Sequence, residues 1–204
     1  MASIPPLPQP LSDGQVALRF ALPRDIPEIL IAYQDDPRLH VRMSRDRPPS
    51  GAELGRELEA AEGDRAAGTR ASLTIIKPPG DECCGDVSVH SIDWEQRRAE
   101  LGIWVAPALR GQGLGRRALR LAARWLFDAC SLERLQLLTD PDNEPMLRAA
   151  RAAGFVHEGV LRGFRRGPEG RRNMAVLSLL AEDLAGGTDA DRGFPEHQLE
   201  EQAR

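Results

Sequence analysis

Two hydrophobic periods alternate along the chain and divide it into elements. Val16-Ala-Leu-Arg-Phe20, Ala71-Ser-Leu-Thr-Ile-Ile76, Gly85-Asp-Val-Ser-Val-His-Ser-Ile92 and the run from Ala99 to Val105 set apolar against polar residues in turn, as strands with one buried face do. Residues 23–32 read instead as a helix, opened by Asp25 with proline in its first turn, and a second helix spans 52–62 after a polar, proline-broken stretch at 35–50. The clearest helical signal follows a glycine-rich turn. Leu114, Ala118, Leu121, Trp125 and Ala129 recur at the helical period and define a buried face, while Arg116, Arg120 and Arg124 stand four apart on another. A strand at 132–139, a helix at 143–153 stopped by Gly154, and strands at 155–161 and 172–180 around a turn at 163–170 complete the set. The order β-α-α-β-β-β-α-β-α-β-β predicts a mixed α/β sheet in one domain over residues 14–184. The proline-rich residues 1–13 and the polar residues 185–204 lack this periodicity and are expected to be disordered.

Composition narrows the class. With 204 residues, 41% hydrophobic and 28% charged, the chain resembles an ordinary soluble domain. It has no apolar run of membrane-spanning length, and its N-terminus lacks the basic start and apolar stretch of a secretory signal, so a cytoplasmic protein away from membranes is expected. Cys83, Cys84 and Cys130 form no ligand pattern with histidine, so no metal is expected and the thiols are read as reduced and structural. A net charge of −4 argues against general nucleic-acid binding.

The turn before the long helix carries the chemistry. In Leu101-Gly-Ile-Trp-Val-Ala-Pro-Ala-Leu-Arg-Gly-Gln-Gly-Leu-Gly-Arg-Arg117 a strand runs through a turn containing Gly111, Gly113 and Gly115 into a helix, and no acidic residue occurs from Leu101 to Phe127. The first amides of a helix lack internal partners and carry partial positive charge, and glycines let a ligand approach the backbone closely. Arg116 and Arg117 sit in the first helical turn, where a cation is disfavoured by about 0.3–1 kcal/mol, which points to a bound polyanion such as a phosphate. Other phosphate motifs fail: no Lys-Ser/Thr pair follows the turn, and Arg116 stands where a dinucleotide fingerprint needs glycine. A solvated strand-to-helix turn is the plain alternative.

Arg110-Gly-Gln-Gly-Leu-Gly115 resembles the [Q/R]-x-x-G-x-[G/A] signature of the GNAT N-acyltransferase superfamily. The run from Ala99 to Pro107 is similar to that family's fourth strand, and Asn143 followed by Gly154-Phe155 is similar to its second half. The runs Glu100 to Val105, Gly154 to Arg162 and Arg172 to Leu180 are similar to the RimJ/RimL-like group. The resemblance implies a mostly antiparallel sheet, splayed between its fourth and fifth strands and flanked by helices. It also implies acetyl-CoA as co-substrate. Ile103 and Val105 would hydrogen-bond the pantetheine arm through their backbone, Arg110, Gly111, Gln112, Gly113, Leu114 and Gly115 would hold the diphosphate, and Asn143 would reach the arm from the other side unless it is only a helix cap.

The same resemblance implies direct attack of an amine on the thioester, with Glu100 as the base. Glu100 otherwise reads as an ion-pair partner of Arg97 or Arg98, and His90, Asp93 and Glu95 are the reserves. The family's general acids are absent, Met146 and Ala150 standing at their positions, so a non-catalytic acyl-CoA sensor or scaffold is the alternative reading. A thiol with a pKa near ~8.5 leaves without much help, and an α-amine near ~7.7–8.0 is far more often neutral than a lysine near ~10.4. An N-terminal or small-molecule amine is therefore the expected acceptor. Asp35 and Asp36 would attract a cationic amine or simply be solvated. The arginines around 162–172 read as a solvated hairpin, a gate for an acidic substrate or an RNA contact. Homodimers occur in the group, and the sequence leaves that question open.

Overall fold

The computed structural model describes residues 3–8, 11–167 and 170–185. It is built on one eight-stranded sheet. In chain order the elements are β1 (Leu11–Ser12), β2 (Ala17–Phe20), α1 (Ile26–Asp35), α2 (Leu39–Arg42), α3 (Gly51–Ala66), β3 (Ala71–Ile76), β4 (Gly85–Asp93) and β5 (Arg98–Val105). There follow α4 (Leu114–Cys130), β6 (Arg134–Thr139), α5 (Glu144–Ala153), β7 (Val156–Gly167), β8 (Gly170–Leu180) and α6 (Ala181–Ala185). The strands lie in the order β1-β2-β3-β4-β5-β6-β8-β7. Only β5 and β6 run parallel; every other neighbouring pair is antiparallel.

Alternation decides what each face meets. Leu73 and Ile75, Val87 and Val89, Leu101, Leu135 and Leu137, and Leu177 and Leu179 project to one side, where they are buried with Leu119, Ala122 and Leu126 of α4 and Leu147 and Ala150 of α5. A smaller cluster of Ala32, Tyr33, Leu39, Cys83 and Trp104 holds α1 and α2 over the opposite face. Local chemistry sets the ends of the helices. Ser50 and Glu53 exchange hydrogen bonds at the start of α3, the Glu53 amide reaching Ser50 Oγ at 3.3 Å and the Ser50 amide reaching Glu53 Oε2 at 2.8 Å. Gly154, left-handed at φ 106°, ends α5. Asp25 does not cap α1 with its side chain; it accepts the Leu22 amide at 2.9 Å, two bonds from Arg19, and the Thr74 hydroxyl at 3.0 Å. Burial pushes its carboxyl upward, but those donors together hold it below the usual carboxylate range.

Three expectations need correcting. Part of the proline-rich segment packs: Ile4 and Leu7 are buried in the main core, and Leu11–Ser12 pair with β2. Where the sequence predicts a turn at 163–170, the described residues up to Gly167 and from Gly170 are strand, β7 and β8 remaining paired as far as Gly167↔Gly170, with irregularities that absorb the local polar pattern. The first strand after the long helix begins at Arg134 rather than 132, since Ser131 is left-handed and Leu132 is spent closing α4. The tail expected over 185–204 lies outside the described residues beyond Ala185.

Candidate active site

The parallel pair β5 and β6 stays in register only from Arg98↔Arg134 to Leu101↔Leu137. Beyond that point β5 continues on β4 as far as Gly85↔Val105, while β6 continues on β8 as far as Thr139↔Ala175. The two strands therefore part at Gly102. The Ala106 amide bonds Cys84 O at 2.9 Å, which makes the register pairs through Trp104 and Gly102 the hydrogen-bonded ones. By alternation, the backbone groups of Ile103 and Val105 point away from β4 into the gap. The Val105 carbonyl already accepts Arg110 Nε at 3.0 Å.

The glycine turn closes the wide end of this gap. Gly111 and Gly113 both have φ +79°, a conformation side chains resist, and a Cβ on either would meet nothing within 4 Å. Gly113 sits at the N-cap of α4 with no side-chain cap, and the first internal bond runs from the Arg117 amide to Gly113 O. The amides of Leu114, Gly115 and Arg116 thus open onto unfilled space at the positive end of a seventeen-residue helix. Gly115 lies against Val105 and Ile103, where an added Cβ would make ordinary contacts at 3.6 and 3.7 Å. Gln112 departs from the expectation, because its side chain turns outward to Lys77 Nζ at 3.4 Å and does not line the cleft.

Arg110 lines the cleft but is not free. Its guanidinium bonds Asp36 at 2.7 Å, and Arg42 reaches the same carboxylate at 3.1 Å. Burial pushes the Asp36 carboxyl upward, and the Arg110, Arg38-amide and Arg42 contacts more than reverse this. Asp36, read as a solvated acid or an amine attractor, instead ties the α1–α2 corner to the glycine turn. Asn143 lies at the head of α5 without capping it; its side chain donates to Thr139 Oγ1 at 3.0 Å on the far wall of the gap.

The floor of the cleft is the polar face of the central strands. His90 pairs with Glu100, Ser88 with Gly102 and Asp86 with Trp104. Glu100 meets Gln136 Nε2 at 3.4 Å and Arg165 at 3.9 Å, rather than Arg97 or Arg98, which pair with Glu133 and Asp93. Asp93 and Glu95 lie beyond the cleft at the β4–β5 turn. A Cβ on Gly102 would fall 2.6 Å from Ser88 Oγ and 3.7 Å from His90 Nε2, so the glycine leaves space between these groups. Burial depresses the His90 pKa, with Arg70 and Arg165 acting the same way against the opposing Glu100, so the ring is neutral at neutral pH. Asp86, absent from the sequence-based candidates, is held up at about 7 by burial, against the pull of the Ser72 hydroxyl and the Arg70 charge. Cys83, raised to about 12 by burial, is inert. No candidate metal cluster occurs among the described residues, and no described helix is long and apolar enough to cross a membrane.

Together these walls enclose a cleft of about 1650 Å³ running from the glycine turn to the β7–β8 hairpin. That exceeds the roughly 300–1,000 Å³ typical of a site for one small ligand and leaves room for two reactants end to end. A family model described as an acetyltransferase (GNAT) domain matches residues 15–156. Among curated relatives, the uncharacterized N-acetyltransferase p20 of Bacillus licheniformis is 25% identical over 160 residues, 78% of this chain and 89% of that protein. Spermidine N(1)-acetyltransferase of Escherichia coli is 37% identical over 84 residues, 39% of this chain and 45% of that one. The solved structure of Mycobacterium smegmatis RimJ in complex with CoA-disulfide superposes with a TM-score of 0.70 at 20% identity, covering 86% of this chain and 85% of its own, a likeness of fold.

Proposed function

The chain belongs to the GNAT acetyltransferase family, and on that premise we propose that it moves the acetyl group of acetyl-CoA directly to a primary amine, as an enzyme of RimJ/RimL-like type. The observation that carries this is the splay at Gly102, which turns the backbone of Ile103 and Val105 towards a gap ending on the uncapped head of α4. The residues present fit the co-substrate: unpartnered amides and open space at Gly111 and Gly113 suit a diphosphate, and a free strand edge suits an amide-bearing arm. Bound there, acetyl-CoA supplies an activated acyl group on a thiol leaving group.

This chain's own residues do the rest. Glu100, with neutral His90 facing it across the strand pair, takes a proton from the acceptor ammonium. The amine nitrogen then bonds to the acyl carbon, the carbon–sulfur bond breaks, and the second proton lost by the nitrogen passes through water to the departing thiolate, leaving a neutral amide and the free thiol. Amides of the β5 edge face the carbonyl oxygen as charge develops on it. The absence of a hydroxyl at Met146 and Ala150 suits this economy, since Ala150 is fully buried and offers no acid. The name of one relative points to spermidine, and an N-terminal α-amine and a small-molecule amine both stand as acceptors. Calorimetric titration with acetyl-CoA, followed by thiol release with a panel of α-amines and small amines, tests the reading. Binding with turnover supports it; binding without turnover on a broad panel gives the sensor instead, and failure to bind removes it.

A further inference from the structure

Beside the reacting centre, the cleft has a second polar recess that the proposed chemistry does not use. Tyr33, Ser72, Thr74, Asp86, Ser88 and Trp104 line it from α1, β3, β4 and β5. Asp86 pairs across the sheet with Thr74 on one side and Trp104 on the other, so it stands one pleat from the Ser88–Gly102 row where β5 and β6 part. Two residues of strand put it about 7 Å from that row. The Ser72 hydroxyl donates to Asp86 Oδ2. Among the described residues no arginine or lysine forms an ion pair with Asp86, although Arg45 nearby is held by both oxygens of Glu57, at 2.9 and 2.7 Å.

A half-buried carboxylate without a cation is an uncompensated charge, and proteins rarely keep one without a partner. The groups around it are the ones a cation selects: a carboxylate, three hydroxyls, and the rings of Tyr33 and Trp104, both largely buried. We propose that Asp86 receives a second positively charged nitrogen of the acceptor, so that the enzyme prefers amines carrying another ammonium a short aliphatic spacer away from the reacting one. The spacer bridges the pleat between Ser88 and Asp86. Burial raises the Asp86 carboxyl to about 7 in the free protein, and a bound cation would supply the charge that Arg70, acting from a distance, does not. The charged groups around the recess are Asp25, Glu57, Arg70 and Arg45, the last beside the Tyr33 hydroxyl and paired with Glu57, with Tyr33 and Cys83 as the other titratable neighbours.

This inference rests on the acyltransferase reading and is tested apart from turnover. Putrescine and butylamine, which differ by one terminal ammonium, are titrated calorimetrically into the full chain saturated with CoA, and into Asp86→Asn prepared in the same way. The expected result is that the wild type binds putrescine at least about tenfold more tightly than butylamine, and that Asp86→Asn erases most of this preference. Equal affinities in the wild type, a preference that survives in Asp86→Asn, or no binding of either amine would each overturn the proposal. If Asp86→Asn weakened both amines equally, Asp86 would be holding the reacting nitrogen, which also overturns it. CoA binding, read in the same instrument, reports separately on the co-substrate site.

Discussion

On the side of the sheet that meets α4 and α5, the central strands present Leu73, Val87, Leu101, Leu135 and Leu177, none more than 1% exposed. On the other side the same strands present Thr74, Asp86, Ser88, His90, Glu100, Gln136 and Ser178. A central strand covered on both faces ordinarily reads as a near-continuous apolar run. Here alternation persists through the middle of the sheet, broken on the cleft side only at positions such as Trp104 and Leu138, although helices lie on both sides. One face therefore secures the fold and the other is kept polar at a cost in stability, which separates the mutational effects of the two faces by kind.

The largest effects should come from the packed face. Leu177 is fully buried between β6 and the helices, and Leu177→Ala should destabilise by about 2–5 kcal/mol through lost burial and the cavity left behind. Denaturant unfolding measures it, and affinity for acetyl-CoA below the transition should be nearly unchanged. Across the sheet the expected pattern inverts. Glu100→Gln should lower kcat by about a hundredfold, because the amide cannot accept the ammonium proton, while the unfolding midpoint moves little. If Glu100→Gln retained full turnover, His90 would be the base, and His90→Gln would show the loss instead.

The packed face was legible in the sequence because it is made of local periodicity. Apolar alternation in Gly85 to Ile92 and Ala99 to Val105, and the helical repeat from Leu114 to Trp125, place the core without any knowledge of partners, although Ala129, read on the same face, is exposed and Cys130 is buried in its stead. The glycine turn was legible for a related reason: left-handed backbone at Gly111 and Gly113 leaves a mark in residue type. The site beyond it was less so. The Asp36–Arg110 pair joins residues 74 apart, and nothing local separates Asp36 from a solvated acid. Ile4 and Leu7 looked like a loose proline-rich leader, yet their burial depends on distant strands, with the Ile4 amide held by Arg65 O at 2.9 Å. Asp86 was readable in principle, since Asp86, Ser88 and His90 alternate with Val87 and Val89. A strand with polar residues on one face and valines on the other, in the middle of a sheet, marks a cleft floor.

A smaller effect should appear at the turn joining the two faces. Gly113→Ala places a Cβ on backbone at φ +79° with nothing within 4 Å, so the cost is conformational rather than steric, about 1–2 kcal/mol. The same methyl enters the open space above the α4 amides. Affinity for acetyl-CoA should fall by more than the stability change alone would produce, and a calorimetric comparison with Gly63→Ala, also in open space but within α3 and far from the glycine turn, isolates that difference.

The smallest and sharpest contrast is in pH dependence. The Asp86 carboxyl ionises near its ordinary 3.8 in the unfolded chain but near about 7 in the folded one. Between those values the unfolded state has already released the proton that the folded state retains, so stability falls as pH rises through that window and is level above it. Asp86→Asn abolishes this pH dependence. The variant should therefore melt higher than the wild type, with the gap widening as pH rises towards about 7 and constant beyond, whereas Leu177→Ala should show a gap independent of pH. A pH-independent gap for Asp86→Asn would mean that the carboxylate is as well solvated as a surface acid, and the two faces of the sheet would then differ in polarity without differing in the cost of keeping it.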